Sequence, residues 1–366
     1  MKKLVCSALA LSATSAAGLA SDSDWSSLDQ QIEALTASLA VDNGGGPNMF
    51  GRLRAYYATS SDVVGGIDSD GDDLDLGGFF VEDARFGVHG QRGDYGYKLQ
   101  VDFADGMSLL DAYADFPIGE QVQGRFGQFK SELSRSALVS SGKLAFIDRN
   151  AVGNLFSMRV PGFQIGGEFD ALDWNIDIQN GGDTDAGTGF GAGAGDDLYF
   201  AGKVSFDVLG AGKDLPEGAT GGTDEPSATV AIGFYSDGAT EDGDGFIAEF
   251  HGGTNVYSFG LDVLSIGDGL YAGNGSAEDS LTGIELEADT TPISLAGTYM
   301  VSPDTWEVAL RFQDYDNDND ESKIDLAVNN YLDGHNLKWT LQYSTTDSDD
   351  EDHEIDLIAL QLALVF

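Results

Sequence analysis

The sequence is short of positive charge, of cysteine and of long apolar runs, and each shortage closes off a class of function. Only 18 Lys and Arg stand against 62 Asp and Glu in 366 residues. A surface with that balance repels a phosphate backbone, which excludes nucleic acid as a partner. The single cysteine, Cys6, lies in the first apolar stretch with no lipobox around it. A disulfide framework is therefore excluded, and a lipid anchor on that residue is not expected. Beyond residue 20 no run approaches the ~18 consecutive apolar residues of a transmembrane helix. Entry into a membrane would then require a closed barrel. His89, His251, His335 and His353 are scattered without H-x-x-x-H spacing, and the run from Gly187 to Gly195 carries neither a dinucleotide nor a P-loop pattern. No metal site, catalytic constellation or cofactor motif is legible, and neither an enzyme nor a cofactor is expected.

What is present starts with a leader. Lys2 and Lys3, an apolar run and the small-residue end Gly18-Leu19-Ala20 have the three-part plan of a secretory signal peptide, with cleavage expected after Ala20. Residues 21–47 follow as a short helical segment: Leu28, Ile32, Leu35 and Leu39 are spaced as a heptad seam, and Gly44-Gly45-Gly46 reads as a linker. About three turns of helix are marginal alone, so the segment needs identical neighbours or a surface to lie on; a frayed amphipathic tail before the linker is the alternative reading.

From Asn48 the period changes to two. Tyr95, Tyr97, Leu99, Val101 and Phe103 share one face, with Lys98, Gln100 and Asp102 on the other. Trp306, Val308, Leu310 and Phe312 stand opposite Glu307, Arg311 and Gln313; Leu337, Trp339, Leu341 and Tyr343 stand opposite Lys338, Thr340 and Gln342. A soluble sandwich would alternate in the same way, so the connections decide. Sixteen strands of barrel-crossing length are expected between residues 49 and 366, joined by turns and loops of unequal length. Gln91-Arg92-Gly93, Ser302-Pro303 and Leu332-Asp333-Gly334 are tight, whereas acidic clusters such as DSDGDDLD and DYDNDNDE fall in the opposite, longer set. Two links break the rule: Asp105-Gly106-Met107 is short where a long loop is expected, and 209–226 is long where a tight turn is expected. The chain ends on Ile358, Leu360, Leu362, Leu364 and Phe366 at alternate positions, which resembles the terminal strand of outer-membrane barrels. The fold class is all-β: a transmembrane antiparallel barrel of about 16 strands over 48–366. The acidic clusters do not form EF-hands, because Asp68, Asp70 and Asp72 are followed by Asp73 at position six and Phe79 at position twelve. Loose divalent-cation bridging to lipid headgroups and plain solvated charge both stay open for them.

The stretch from Arg125 to Pro161 departs from this rhythm. It holds six of the eighteen basic residues: Arg125, Lys130, Arg135, Lys143, Arg149 and Arg159. An insert of this length is not an idle connection. Folding inward near 131–161 would bury Leu138, Leu144, Phe146, Phe156 and Met158 on the wall and turn the cations towards a pore, where low-dielectric walls focus their field. The bland reading, in which they pair with Asp102, Asp111 and Asp115 and hold the loop in place, is compatible with it.

Residues 79–170 resemble the phosphate-selective porin O and P family. The resemblance rests on Glu82-Asp83-Ala84-Arg85-Phe86-Gly87-Val88, Tyr97 to Phe103, Leu110-Asp111-Ala112-Tyr113, Gly127-Gln128-Phe129-Lys130, and Ser140, Ser141, Phe146 and Arg149. Ser131-Glu132-Leu133 departs from the family's usual proline-containing continuation. The resemblance implies a homotrimeric outer-membrane porin that passes small anions such as phosphate, contacts outer-membrane lipid, and uses inner-loop cations, with Arg85 added. The alternatives are a general or cation-preferring porin, or a secreted soluble β-rich binding protein.

Overall fold

The structure is a computed structural model that describes residues 46–60, 77–104, 106–181, 197–210, 217–269, 277, 279–349 and 354–366. The expected signal peptide, nearly all of the expected 21–47 helical segment, the Asp68 cluster and the Gly187–Gly195 run lie outside the described residues. From Asn48 onward the chain forms sixteen strands: β1 Asn48–Ser60, β2 Gly77–Arg92, β3 Tyr95–Asp102, β4 Ser108–Pro117, β5 Val122–Phe129, β6 Val160–Phe169, β7 Leu172–Asn180, β8 Leu198–Leu209, β9 Ser227–Asp237, β10 Gly243–Gly253, β11 Tyr257–Ile266, β12 Ile293–Ser302, β13 Trp306–Asp314, β14 Ser322–Asp333, β15 Leu337–Asp347 and β16 Asp356–Val365. The sixteen strands expected from the alternation are all present.

Each strand pairs with its sequence neighbours, and β1 pairs antiparallel with β16, so the sheet closes on itself. The seam runs from Arg52 opposite Val365 to Ser60 opposite Leu357, with Phe366 N donating to Gly51 O at 3.0 Å. The aromatic terminus thus ends inside the ladder that closes the barrel.

Period two explains which face is which. Tyr95 is 62% exposed, Trp306 47%, Trp339 40% and Tyr343 40%, so these rings face outward rather than a second sheet. Their strand partners on the wet face are enclosed: Glu307, Arg311, Lys338, Thr340 and Gln342 are buried. An apolar outside around a polar inside is the pattern of a barrel in lipid. Among the described residues no helix is long and apolar enough to cross a membrane.

Among the described residues, three connecting segments enter the barrel. The β5–β6 connection, residues 130–159, is the largest and is called the inner loop below. Residues 279–290, between β11 and β12, bury Ile284 and Leu286 in one cluster with Leu133 and Val152 of the inner loop. Residues 217–223, from the long β8–β9 link, form the third and are called the plug.

Candidate functional site

The inner loop is made of short capped pieces. Ser134 caps α1 (Arg135–Leu138) by accepting from Ala137 N at 3.3 Å, and Asn150 caps α2 (Ala151–Leu155) by accepting from Gly153 N at 2.7 Å. These side-chain acceptors replace part of what so short a helix lacks. Leu133, Leu144, Phe146, Leu155 and Phe156 are buried. Leu138 and Met158 are 43% and 40% exposed, so the expected burial of all the loop's large apolar residues is corrected for these two: Leu138 ends α1 on the side that faces open space.

The loop is fixed to the β13–β15 wall. Arg311 Nη2 donates to Asp148 Oδ1 at 2.6 Å and its Nε to Asp325 Oδ2 at 2.7 Å, while Lys323 Nζ reaches Asp148 Oδ2 at 2.8 Å and Asp279 Oδ2 at 2.9 Å. Burial alone would raise the Asp148 carboxyl, but Arg311 and Lys323 outweigh it and hold the group well below the usual carboxylate range. Ile147 N donates to Gln342 Oε1 at 2.8 Å, Ala151 N to Gln313 Oε1 at 2.8 Å, and Asn329 Nδ2 to Ala145 O at 2.8 Å. On the same side the plug rises beneath the loop. Ala219 N donates to Glu307 Oε1 at 2.6 Å, and Glu217 Oε2 accepts from Ala145 N of the inner loop at 2.7 Å. Burial pushes the Glu217 carboxyl up.

Opposite this packed side, between the inner loop and the wall from β4 to β10, lies a cavity of about 730 Å³. Its ionisable lining is Asp115, Glu120, Glu132, Glu168, Asp173 and Glu249 against Arg125, Arg135 and Lys203, with His251 beside them. Gln164, Asn175, Ser205 and Thr229 complete a polar surface.

The seven basic residues singled out in the sequence do not share one environment. Arg125 lines the cavity, bridging Asp115 Oδ1 at 2.7 Å and Glu132 Oε1 at 3.0 Å, with its guanidinium 4.4 Å from the Tyr113 ring centre. Arg135 also lines it; its backbone N donates to Glu249 Oε1 at 2.6 Å and its Nη1 lies 3.4 Å from His251 Nδ1. Arg159 pairs with Asp111 at 3.3 Å, and Arg85 reaches Asp102 at 2.6 Å and Asp83 at 2.5 Å. Lys130 donates to Ala137 O at 2.6 Å. Arg149 is a staple within the loop, donating to Ser136 O at 3.0 Å, Ser141 Oγ at 3.1 Å and Val139 O. Lys143 is exposed on the 3₁₀ turn Ser141–Lys143 and has no carboxylate partner among the described residues. Burial, with Arg54 and Arg159 nearby, lowers Arg149 to about 9; burial and the charges of Arg149 and Arg159 push Lys130 well below its ordinary value.

The sequence reading missed Lys98, Lys203, Glu249, His251 and Asp262 as site residues. Lys98 Nζ meets Asp111 Oδ2 at 2.8 Å, and Lys203 pairs with Glu249 across the β8–β10 wall. The available signal was position on the wet face of an alternating strand, as for Lys98 opposite Tyr97 and Leu99.

The phosphate-selective porin O and P family model matches residues 59–225. A comparison with curated proteins gives no match. Among solved structures, the outer membrane channel DcaP of Acinetobacter baumannii is 16% identical, over 89% of this chain and 98% of that one, with a TM-score of 0.58. The high-pH structure of Pseudomonas putida OprB is 9% identical, over 94% and 97%, with a TM-score of 0.59. The anion-selective porin from Comamonas acidovorans is 14% identical, over 88% and 100%, with a TM-score of 0.56. At these identities the likeness is one of fold. The chain is a closed sixteen-stranded antiparallel barrel whose residues 59–225 match the model of the phosphate-selective porin O and P family.

Proposed function

We propose that this protein is an outer-membrane porin, exported by cleavage of residues 1–20 and assembled as a homotrimer, through which small hydrophilic solutes diffuse passively. The observation that carries the reading is the polar cavity of about 730 Å³ between the inner loop and the β4–β10 wall, inside a barrel whose outer face is apolar. Six acidic side chains against the basic Arg125, Arg135 and Lys203 along that cavity favour a general pore that leans towards cations. A second reading, preference for anions such as phosphate, is favoured by a different observation. Arg85, Lys98, Arg125, Lys130 and Arg159 gather on the β2–β5 side, and the side chains of Arg85, Lys98, Arg125 and Arg159 are 16%, 30%, 23% and 14% exposed.

Planar-bilayer recording under a KCl gradient separates the two. A reversal potential on the cation side, moved further that way by Arg135→Ala with Lys143→Ala, supports the first reading. A reversal potential on the anion side assigns selectivity to the basic strip, and absence of any conductance from a folded barrel overturns the porin proposal itself.

A further inference from the structure

Across the β10–β11 ladder Glu249 stands directly opposite Asp262. Two carboxylates in that relation repel one another unless positive charge lies between or beside them. His251, two residues along the same face of β10, leans into the gap, and Gly260 opposite it leaves the room: a Cβ there would lie 2.8 Å from His251 Nδ1. All three side chains are more than nine-tenths buried, and one donor atom from each lies within 4.8 Å of the others.

The local hydrogen bonding is incomplete in a directed way. Asp262 Oδ2 accepts from Ser136 Oγ at 2.7 Å and Asn150 Nδ2 at 2.6 Å, both on the inner loop. Its Oδ1 pairs with His251 Nε2 at 2.8 Å, and neither atom has a hydrogen-bond partner outside that pair among the described residues. Ser294 Oγ, also buried, has no partner among them. Asp262, His251 and Ser294, together with Glu217, line a separate enclosed cavity of about 20 Å³. That is above the ~10–15 Å³ one small occupant requires.

We propose that Glu249, His251 and Asp262 form a binding site for a zinc-class divalent metal ion on the wall of the constriction. An imidazole nitrogen with two carboxylate oxygens is a donor set that suits zinc better than magnesium or calcium, which take oxygen alone. The carboxylates have lone pairs to spare: each oxygen of Glu249 is engaged once, by Arg135 N and by Lys203, and Asp262 Oδ1 only by His251 Nε2, the contact an ion between them would replace. Ligation at Nε2 leaves the ring proton on Nδ1, which turns from acceptor to donor towards Arg135 Nη1, now 3.4 Å away. Arg135 then yields towards the larger cavity it already lines, so an occupied site presents more positive charge to the pore.

The test uses the purified full-length chain in detergent and zinc as the probe. Magnesium in large excess competes for any oxygen-only sites on the acidic loops. Equilibrium dialysis with elemental analysis is expected to find one zinc per chain held against magnesium, lost in both His251→Gln and Asp262→Asn, each checked for a folded, heat-modifiable barrel. No zinc retained, which would leave the small cavity to water, or zinc retained unchanged by the folded variants, overturns the site. The second arm rests on the porin reading: zinc should move the wild-type reversal potential towards anions and leave His251→Gln unmoved. Zinc bound without that shift overturns the release of Arg135. Because the dialysis arm does not need a pore, failure of the site and failure of the porin reading give different results.

Discussion

His335 joins two turns that the sequence separates by more than a hundred residues. Its Nε2 lies 2.8 Å from Thr220 O, so the turn between β14 and β15 holds the plug. Burial, reinforced by the charge of Lys338, lowers the ring to about 4. The folded protein therefore keeps the imidazole neutral while the unfolded chain takes up a proton near the ordinary value of about 6.5. Stability contributed here is complete above about 6.5 and is lost as pH falls from there towards 4. His335→Gln should flatten that part of the pH profile of thermal unfolding, followed by circular dichroism; an unchanged slope would place the sensitivity elsewhere. The Asp148 carboxylate responds in the same direction but only at lower pH. Held down by Arg311 and Lys323, it stays ionised well below the range of a free carboxylate, so this anchor of the inner loop survives mild acid.

The strands were largely legible, because the side-chain period of a sheet is short and local. The alternation of Trp306, Val308, Leu310 and Phe312 with Glu307, Arg311 and Gln313 already separates outside from inside. Less legible was how the inside is filled. The 279–290 segment enters the barrel with Ile284 and Leu286 as its buried apolar residues, too few to show against an acidic loop. His251 and Asp262 meet through strand register, which no spacing rule reveals. The overlong 209–226 link did stand out, and the plug is its physical reason: the extra residues carry Glu217 and Ala219 up to partners on the inner loop and β13. Gly218 is what lets the plug seat, since a Cβ there would lie 2.7 Å from Glu307 Oε2. Gly218→Val should unseat it at a cost of about 1–3 kcal/mol and raise single-channel conductance while the barrel persists. Equal conductance in a variant shown to be destabilised would mean that the plug only braces the wall.

At the scale of the whole molecule the barrel is divided unevenly. Inner loop, plug and the 279–290 segment crowd the side lined by β11 to β15, where Asn329, Thr340 and Arg311 are fully buried. The remaining open volume lies off centre, against β4 to β10. The central claim is that solute takes this off-centre route. The sequence has one cysteine, Cys6, within the proposed leader, so with Cys6 removed by cleavage or by substitution a single introduced cysteine reports on one place. Ser205 lines the open cavity and Thr340 sits in the packed half. Single-channel current recorded while a bulky methanethiosulfonate reagent is applied should fall in Ser205→Cys and hold steady in Thr340→Cys. Block in Thr340→Cys with none in Ser205→Cys would contradict the route.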